Sequence, residues 1–381
     1  MDIIVWNRRI ISALGLWPTD RNDFKLFLYV FYLTIHCFLQ YADLVKYINE
    51  PKHVIANLTE NSILTMVLCK IIVYRLNENK ICQVLETIMR GHKDVNVSKR
   101  SSNELLISSK YIKMANTFVK TTFTLHCLSS ILYYLKPFID IMISSNGTFS
   151  RKNESLTTYR LPYRINLFFE ISELSTYVLV YLCQAPIVLI VTVGSAGMDC
   201  LLVTLTLHIC DRFSELADAA RKINLVNRRA VGSLVNHHVR VMRTAKTLDA
   251  AFNVIMLLQL LGFTLILCLA GYNVTLSPAA GQYTHLLTFL MYTSTMALIL
   301  FECCFVGECL ITESSNLHDA FYNNKWYDIL PTYSRLVILC MTEARRPIRL
   351  TAGTFYVFSL SSFSDVLKSA VAYLSLLQKL V

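Results

Sequence analysis

The sequence predicts an all-α membrane protein with seven transmembrane helices, a cytoplasmic N-terminus and an extracellular C-terminus. Three observations predict it: an excess of apolar residues, seven long apolar stretches, and basic residues concentrated in alternate loops. Of the 381 residues, 54% are hydrophobic and 16% are charged, and the mean hydropathy is +0.45. A soluble domain is typically about 45–50% apolar and about 25% charged. This composition therefore predicts that the chain is embedded in a lipid bilayer.

The seven stretches are long enough to be membrane spans, because about 20 helical residues cross a bilayer core of about 30 Å. Lys70 makes the second stretch the weakest. The fourth is too long for a perpendicular crossing, so we expect it to project from the membrane as a helix. In chain order the stretches are 25–47, 61–75, 117–143, 165–197, 250–272, 284–311 and 352–379.

The loops give the direction of the spans. With the N-terminus inside, 23 Lys and Arg residues fall in inside segments and 5 in outside segments. Basic residues of membrane proteins collect on the cytoplasmic side, so the net charge of +10 needs no nucleic acid partner. One Asn-x-Ser/Thr sequon, at Asn96, falls inside and is expected to carry no glycan. The sequons expected outside, and hence the predicted glycosylation sites, are Asn57, Asn146, Asn153 and Asn273.

The sequence contains no recognisable catalytic or metal-binding motif. Gly-x-x-x-x-Gly-Lys, His-Glu-x-x-His and Gly-x-Ser-x-Gly are absent. The twelve cysteines fall outside the predicted outer loops, and Cys303, Cys304 and Cys309 lack the spacing of a zinc site. We therefore expect no enzyme activity, no cofactor and no metal.

Ionisable residues inside the predicted spans are candidates for function, because each costs about 2.5–3.5 kcal/mol or more at the bilayer centre. Glu302 is expected to pair with arginines at the inner end of the sixth span. On the last span, polar and small residues recur every three or four positions and share one helical face. That face is either a packing surface or the wall of a water-filled path. The candidates are Lys70, Glu170, Glu173, Glu302, Asp365, Lys368 and Lys379, and the face comprises Ser362, Asp365, Ser369, Ala372, Leu376 and Lys379.

About the last 80 residues resemble the insect odorant receptor family. The segments that carry the resemblance are "FECCFVGECLITES" (301–314), "HDAFYNNKWYDILP" (318–331) and "MTEARRPIRLTAGTFYVFSLSSFSDVLKSAVAYLSLL" (341–377). The resemblance implies a subunit of an odorant-gated, non-selective cation channel that assembles with a co-receptor subunit, as a tetramer, in the plasma membrane of olfactory sensory neurons.

The same resemblance implies a division of the chain into three parts. Residues 1–311 would form six spans and the odorant-binding bundle, 312–351 a cytoplasmic anchor segment, and 352–381 the pore-lining seventh span. The seventh helix would break near Pro347, with 330–343 in the anchor, which the helices of 199–249 would join. The hydrophobic gate would fall on Leu376, with Leu380 one turn further out and Lys379 beside it. Ser369 and Ala372 would line the path below the gate.

The odorant site implied by the resemblance is an apolar pocket in the outer half of the bundle, between the second, third, fourth and sixth spans. The alternative for each aromatic residue there is an ordinary packing role. A gustatory receptor would share the architecture, but its tail signature, Thr-Tyr-x-x-x-x-x-Gln-Phe, is absent, and a transporter would be expected to show an internal repeat. The predicted ligand-binding residues are Tyr133, Tyr134, Phe169, Tyr177, Tyr181, Phe289 and Tyr292.

Overall fold

The computed structural model describes residues 2–94, 102–146, 161–169, 173–222, 228–275, 283–324, 326–328 and 331–380. Nearly all of these residues are helical. The helices are α1 (Asp2–Ala13), α2 (Asp23–Lys46), α3 (Pro51–Leu76), α4 (Glu78–Asp94), α5 (Ser102–Asn146), α6 (Leu174–Lys222), α7 (Arg228–Thr275), α8 (Tyr283–Tyr322), α9 (Pro331–Ala344) and α10 (Leu360–Leu380). A short 3-10 turn covers Trp326–Asp328, and strands β1 (Thr351–Ala352) and β2 (Tyr356–Val357) pair antiparallel.

The seven predicted stretches correspond to α2, α3, α5, α6, α7, α8 and α10. Within the described residues, five helical segments are long and apolar enough to cross a membrane: Asp23–Lys46, His53–Leu76, Leu174–Lys222, Arg229–Leu269 and Leu290–Tyr322. Helix α5 is less apolar because it carries Thr122, His126 and Ser129, and all three are buried inside the bundle. Polar side chains that face other helices can therefore weaken the hydropathy signal of a membrane helix.

The second span is longer than its apolar pattern predicts. Helix α3 begins at Pro51, in the first turn where proline is tolerated, and runs for 26 residues. The buried Lys70 does not interrupt it, because its ammonium is held by Asp199 on α6. A partner on another helix thus accommodates the charge that weakened the prediction.

The predicted start of the fourth span, residue 165, is wrong. Residues 161–169 form an irregular segment, and α6 begins only at Leu174. The amide side chain of Gln184 accepts a hydrogen bond from the Tyr163 N–H and donates one to the Tyr163 carbonyl, both at 3.1 Å. Irregular backbone can be buried in a membrane protein when the protein satisfies its polar groups in this way.

The predicted start of the seventh span, residue 352, is also wrong, although the expected break near Pro347 is confirmed. Helix α9 ends at Ala344 and α10 begins at Leu360. Between them, Gly353 and Thr354 have φ of 59° and 69°, in the left-handed region, and close the hairpin of β1 and β2. Ser359 caps α10, since its hydroxyl accepts a hydrogen bond from the Ser362 N–H at 3.2 Å.

Helix α6 is the centre of the packing and contacts α1, α3, α5, α7 and α8. Its 49 residues extend beyond the predicted span, and nearly all side chains from Thr192 to Leu207 are buried. Helix α1 packs on this stretch, where the Asn7 amide donates a hydrogen bond to the Thr204 hydroxyl at 2.8 Å. The extensions of α6, α7 and α8 beyond their apolar stretches form one end of the molecule together with α4 and α9.

Candidate ligand-binding site

A narrow cavity of ≈ 50 Å³ lies between α3, α5, α6 and α8, and the segment 161–169 contributes to its wall. These helices are the second, third, fourth and sixth spans, between which the sequence analysis expected a pocket. Most of the accessible lining surface is apolar, as is usual for small-molecule sites. The lining residues are Glu60, Ile63, Leu64, Met66, Val67, His126, Ser129, Ser130, Tyr133, Tyr163, Val191, Ser195, Tyr292 and Met296.

Glu60 and Tyr163 join three elements around this cavity. The Glu60 carboxylate accepts a hydrogen bond from the Arg164 backbone N–H at 3.1 Å, and Tyr133 lines the same cavity. The rings of Tyr133 and Tyr163 lie 5.4 Å apart, centroid to centroid. Helix α3, helix α5 and the irregular segment are thereby fixed to one another around the cavity.

Three polar atoms that line the cavity have unused hydrogen-bonding capacity. The Tyr292 hydroxyl, the Ser195 hydroxyl and His126 Nε2 are buried and bond to no partner within the part of the chain that the structure describes. Buried polar atoms are normally hydrogen-bonded, and each one that is not needs an explanation. These atoms could bond a small ligand with one or two polar groups.

The predicted ligand residues divide into four sets. Tyr133 and Tyr292 line the cavity. Tyr134, Tyr177 and Tyr181 form a neighbouring aromatic cluster, in which the ring centroids of Tyr134 and Tyr181 are 4.8 Å apart and those of Tyr177 and Tyr181 are 5.8 Å apart. Phe169 is 57% exposed, in the segment before α6, and does not line the cavity. Phe289 belongs to α8, and its side chain lies outside the described residues.

Tyr163, Glu60 and His126 line the cavity but are not among the ligand-binding residues predicted from the sequence. Tyr163 belongs to a stretch predicted to be a loop, and only the fold turns it into the bundle. Glu60 lies one residue before the predicted second span, and His126 lies among the hydroxyl residues of a mostly apolar run. The sequence signal that could have identified Glu60 and His126 is an ionisable side chain at the edge or centre of a predicted span.

A buried polar network adjoins the cavity and links α3, α5, α6 and α8. Lys70 Nζ lies 3.0 Å from Asp199 Oδ1 and 3.2 Å from Oδ2, and the lysine is fully buried. Glu302 accepts a hydrogen bond from the Thr122 hydroxyl, so its expected pairing with an inside arginine is wrong. His126 lies one turn along α5 from Thr122, so the helix that lines the cavity also reaches the network.

Comparison with known proteins identifies the family. A sequence model described as "7tm Odorant receptor" matches residues 50–371, which is most of the chain.

This chain belongs to the odorant receptor family.

Its relatives include odorant receptors and co-receptors of flies and mosquitoes. Odorant receptor 13a of Drosophila melanogaster is 24% identical over 338 residues, which cover 81% of this chain and 76% of that protein. The odorant receptor coreceptor of Aedes aegypti is 28% identical over 160 residues, covering 42% of this chain and 33% of that one.

The solved structure of the insect olfactory receptor OR5 from Machilis hrabei in complex with eugenol has the same fold. The TM-score is 0.82 at 16% identity, covering 100% of this chain and 99% of the other. Without eugenol, OR5 matches with a TM-score of 0.79. The all-α, seven-helix membrane architecture predicted from the sequence is confirmed.

The expected pore residues of this odorant receptor lie on α10. Ser369 is exposed, and its hydroxyl donates a hydrogen bond to the Asp365 carbonyl at 2.8 Å. Ala372, almost one turn further on, is exposed as well. The side chains of Leu376, Lys379 and Leu380 lie outside the described residues.

The sequon asparagines of the receptor differ in accessibility. Asn57 is 1% exposed, and its amide nitrogen donates hydrogen bonds to the Gln40 carbonyl at 3.3 Å and to Asp43 at 2.7 Å. A glycan on that nitrogen is at odds with this burial. Asn146 ends α5 and Asn273 lies near the end of α7, with side chains outside the described residues, and Asn153 is itself outside them.

Proposed function

We propose that this odorant receptor binds a small volatile organic ligand in the cavity between α3, α5, α6 and α8. The observation that carries the proposal is the combination of an apolar lining with the unbonded polar atoms of Tyr292, Ser195 and His126. An apolar lining selects ligands that partition out of water, and a few polar groups orient them. A ligand larger than the cavity would enter by moving side chains such as Met66 and Met296, since methionine adapts its shape readily.

The receptor would act as one subunit of a non-selective cation channel with an odorant co-receptor, in a tetramer. Similarity to the mosquito co-receptors supports a shared mode of assembly. Helix α10 would line the pore, with Ser369 and Ala372 on its wall and Leu376 and Leu380 as the hydrophobic constriction. A ring of apolar side chains closes a pore by excluding water. The bundle would then comprise residues 1–311, the cytoplasmic anchor residues 312–351 and the pore-lining part residues 352–381.

The receptor would lie in the plasma membrane of olfactory sensory neurons, with its N-terminus in the cytoplasm and its C-terminus outside. The distribution of Lys and Arg between the loops supports this direction. Asn146, Asn153 and Asn273 would then face the exterior as glycosylation sites. No catalytic step is part of the proposal.

The proposal is tested by recording odour-evoked currents from cells that express the receptor with and without a co-receptor subunit. We expect current only in the co-expressing cells, because the channel needs both subunits. A current of equal size without the co-receptor would contradict the assembly, and no current with any ligand of a broad volatile panel would contradict the receptor function.

The cavity is tested by Tyr292→Phe, which removes the buried hydroxyl and leaves the ring. For a ligand that bonds this hydroxyl, we expect the half-maximal concentration to rise by about 10-fold, the equivalent of one hydrogen bond of about 1–1.5 kcal/mol. The matched control is Tyr41→Phe, whose exposed hydroxyl bonds Thr65 away from the cavity. Equal shifts in both variants for every ligand would place the site elsewhere.

The pore assignment is tested by Lys379→Gln. A positive side chain near the mouth of a cation path repels permeant ions, so we expect single-channel conductance to rise if this side chain faces the path. Unchanged conductance and selectivity would place Lys379 against lipid or another helix, where its stem can extend its charge towards the headgroups.

A further inference from the structure

A groove lined by arginines lies between α4, α6 and α7, at the end of the molecule formed by the helical extensions. It consists of two adjoining cavities of ≈ 660 Å³ and ≈ 440 Å³, which share Thr87, Asn236, Arg240 and Thr244 in their walls. We call it the arginine groove. The arginines that line it are Arg90, Arg212, Arg229, Arg240 and Arg243.

The described walls of the arginine groove carry more positive than negative charge. None of the described residues that line either cavity is an aspartate or a glutamate. Two carboxylates reach the arginines from behind: Glu86 contacts Arg90 at 2.8 Å, and Glu215 contacts Arg212 at 2.7 Å. Arg240 and Arg243 lie three residues apart on α7, and both line the smaller cavity. They therefore supply a surplus of positive charge to the groove.

Arg212 is the deepest of these arginines. It is 8% exposed, and although Nη1 bonds Glu215, Nη2 is buried without a partner among the described residues. The positive charges of Arg212 and Arg240 also reach His237. Its pKa lies below its ordinary value, first because of burial and then because of Arg212, whose effect Glu215 opposes, and Arg240. A buried guanidinium with an open N–H group beside a second arginine is suited to an anion.

Neutral hydrogen-bond donors complete the groove. The Asn236 amide and the Ser233 hydroxyl lie on its wall between the arginines. The guanidinium group presents paired donors that match phosphate oxygens, and arginine is favoured over lysine where such paired contacts are made. Five arginines and no lysine among the lining residues fit a ligand with more than one phosphate group.

The groove begins close to the predicted membrane surface. Gln83 and Thr247 line the smaller cavity, and Thr247 precedes the predicted fifth span by three residues. Lys80, one turn before Gln83, donates a hydrogen bond to the Ala250 carbonyl at 3.2 Å and thereby holds the start of α4 against α7. A phosphorylated lipid headgroup and a soluble polyphosphate could both reach this place.

We propose that the arginine groove binds a polyphosphorylated anion and thereby clamps α4 to α6 and α7. The anion is either the headgroup of a phosphoinositide lipid or a free inositol polyphosphate. The cytoplasmic location of the groove rests on the orientation given under Proposed function, but the binding itself does not. Bound anion would stiffen the end of the molecule from which α9 leads into the pore helix.

The test measures binding to the purified full-length receptor in lipid nanodiscs, without odorant and without co-receptor. One arm uses nanodiscs containing phosphatidylinositol 4,5-bisphosphate and the other uses soluble inositol hexakisphosphate with neutral lipid. The variant is Arg240→Gln with Arg243→Gln. The matched control is Arg8→Gln with Arg9→Gln, which removes the same charge from an exposed turn of α1 outside the groove.

We expect the groove variant to bind either probe at least about 10-fold more weakly than the wild type, since each lost charge-assisted contact weakens binding severalfold. The control should change by less than about 2-fold, as expected for exposed charges that are screened by salt. Binding in one arm alone identifies the source of the phosphate and supports the site. No binding in either arm, or equal weakening in both variants, overturns the proposal.

A folding defect in the groove variant is separated from a binding defect by Arg240→Lys with Arg243→Lys. This variant keeps the charge and loses the paired donors, so we expect intermediate affinity and an unchanged melting temperature. Wild-type affinity in the lysine variant would show that specific phosphate contacts are absent and would also overturn the proposal. Since no current is measured, failure here leaves the odorant function standing, and failure of that function leaves this test intact.

Discussion

At the scale of single residues, the most consequential contact is the buried ion pair between Lys70 and Asp199. The sequence marked Lys70 as a costly residue in a span, but its partner lies 129 residues away on another helix. Breaking a buried pair costs more than replacing it, because the remaining charge is left without water or a counter-ion. The pair therefore fixes the register of α3 against α6 beside the ligand cavity.

This ion pair predicts how the single and double variants of Lys70 and Asp199 rank in stability. Lys70→Met leaves the Asp199 carboxylate buried alone and should cost about 3–5 kcal/mol of stability. Lys70→Met combined with Asp199→Asn removes both charges and should be less destabilising than Lys70→Met alone. The measurement is the melting temperature of the detergent-purified receptor. Additive losses in the double variant would show that the two side chains do not interact.

Asn57 yields a second prediction at the same scale. Its amide nitrogen is buried and donates two hydrogen bonds, so a chain glycosylated there could not adopt this fold. We expect Asn57 to be unmodified in the folded receptor. Asn57→Gln should leave unchanged the shift in gel mobility that glycosidase treatment causes. Asn146→Gln is the comparison, because it removes a sequon that is expected to lie outside and to carry a glycan. Loss of a glycan band in Asn57→Gln would contradict the packing of α3 against α2.

At the scale of elements, the hairpin before α10 joins this helix, the proposed pore helix, to the bundle. The Thr351 N–H donates to Asp249 of α7 at 2.7 Å, and the Leu360 N–H donates to Glu308 of α8 at 3.2 Å. Gly307 allows α8 to approach, because a Cβ atom there would lie 2.3 Å from the Phe358 carbonyl oxygen. Movement of α8 at the cavity can therefore be transmitted to the start of α10.

Gly307→Ala tests this connection. The methyl group would displace the Phe358 backbone, so we expect lower stability and a smaller odour-evoked current at equal surface expression. The control is Gly232→Ala, where nothing lies within 4 Å of the added Cβ and the helix should gain about 1 kcal/mol. Normal current in Gly307→Ala would mean that close contact between α8 and the hairpin is dispensable for gating.

The predictability of these elements depended on where their polar groups found partners. The apolar runs of α2, α7 and α8 predicted their helices because the polar side chains in those runs, such as Tyr32 and Glu302, find distant partners without interrupting the helix. Residues 161–169 are apolar enough to resemble the start of α6, yet they leave the helix because Gln184 satisfies the Tyr163 backbone. Residues 352–357 also leave the predicted helix. With Thr351 they form the β1–β2 hairpin, and the Thr351 N–H bonds Asp249 of α7.

At the scale of the whole molecule, the orientation in the membrane predicts which terminus antibodies can reach. An epitope tag at the C-terminus should be labelled on intact cells, and a tag at the N-terminus only after permeabilisation, because basic residues retain their loops in the cytoplasm. Labelling of the N-terminal tag on intact cells would show that the orientation is the opposite of the proposed one. The arginine groove would then face the exterior.

The sequence by itself determined the class of the protein, because apolar length and the placement of basic residues reflect the solvent that each segment meets. It also carried the family resemblance in the last 80 residues. The fold was needed to show which polar residues meet: Lys70 with Asp199, Tyr163 with Gln184, and Glu60 with the Arg164 backbone. The physical reason is that solvent preference is a property of each local segment, whereas a buried hydrogen bond depends on two groups that folding brings together from distant positions.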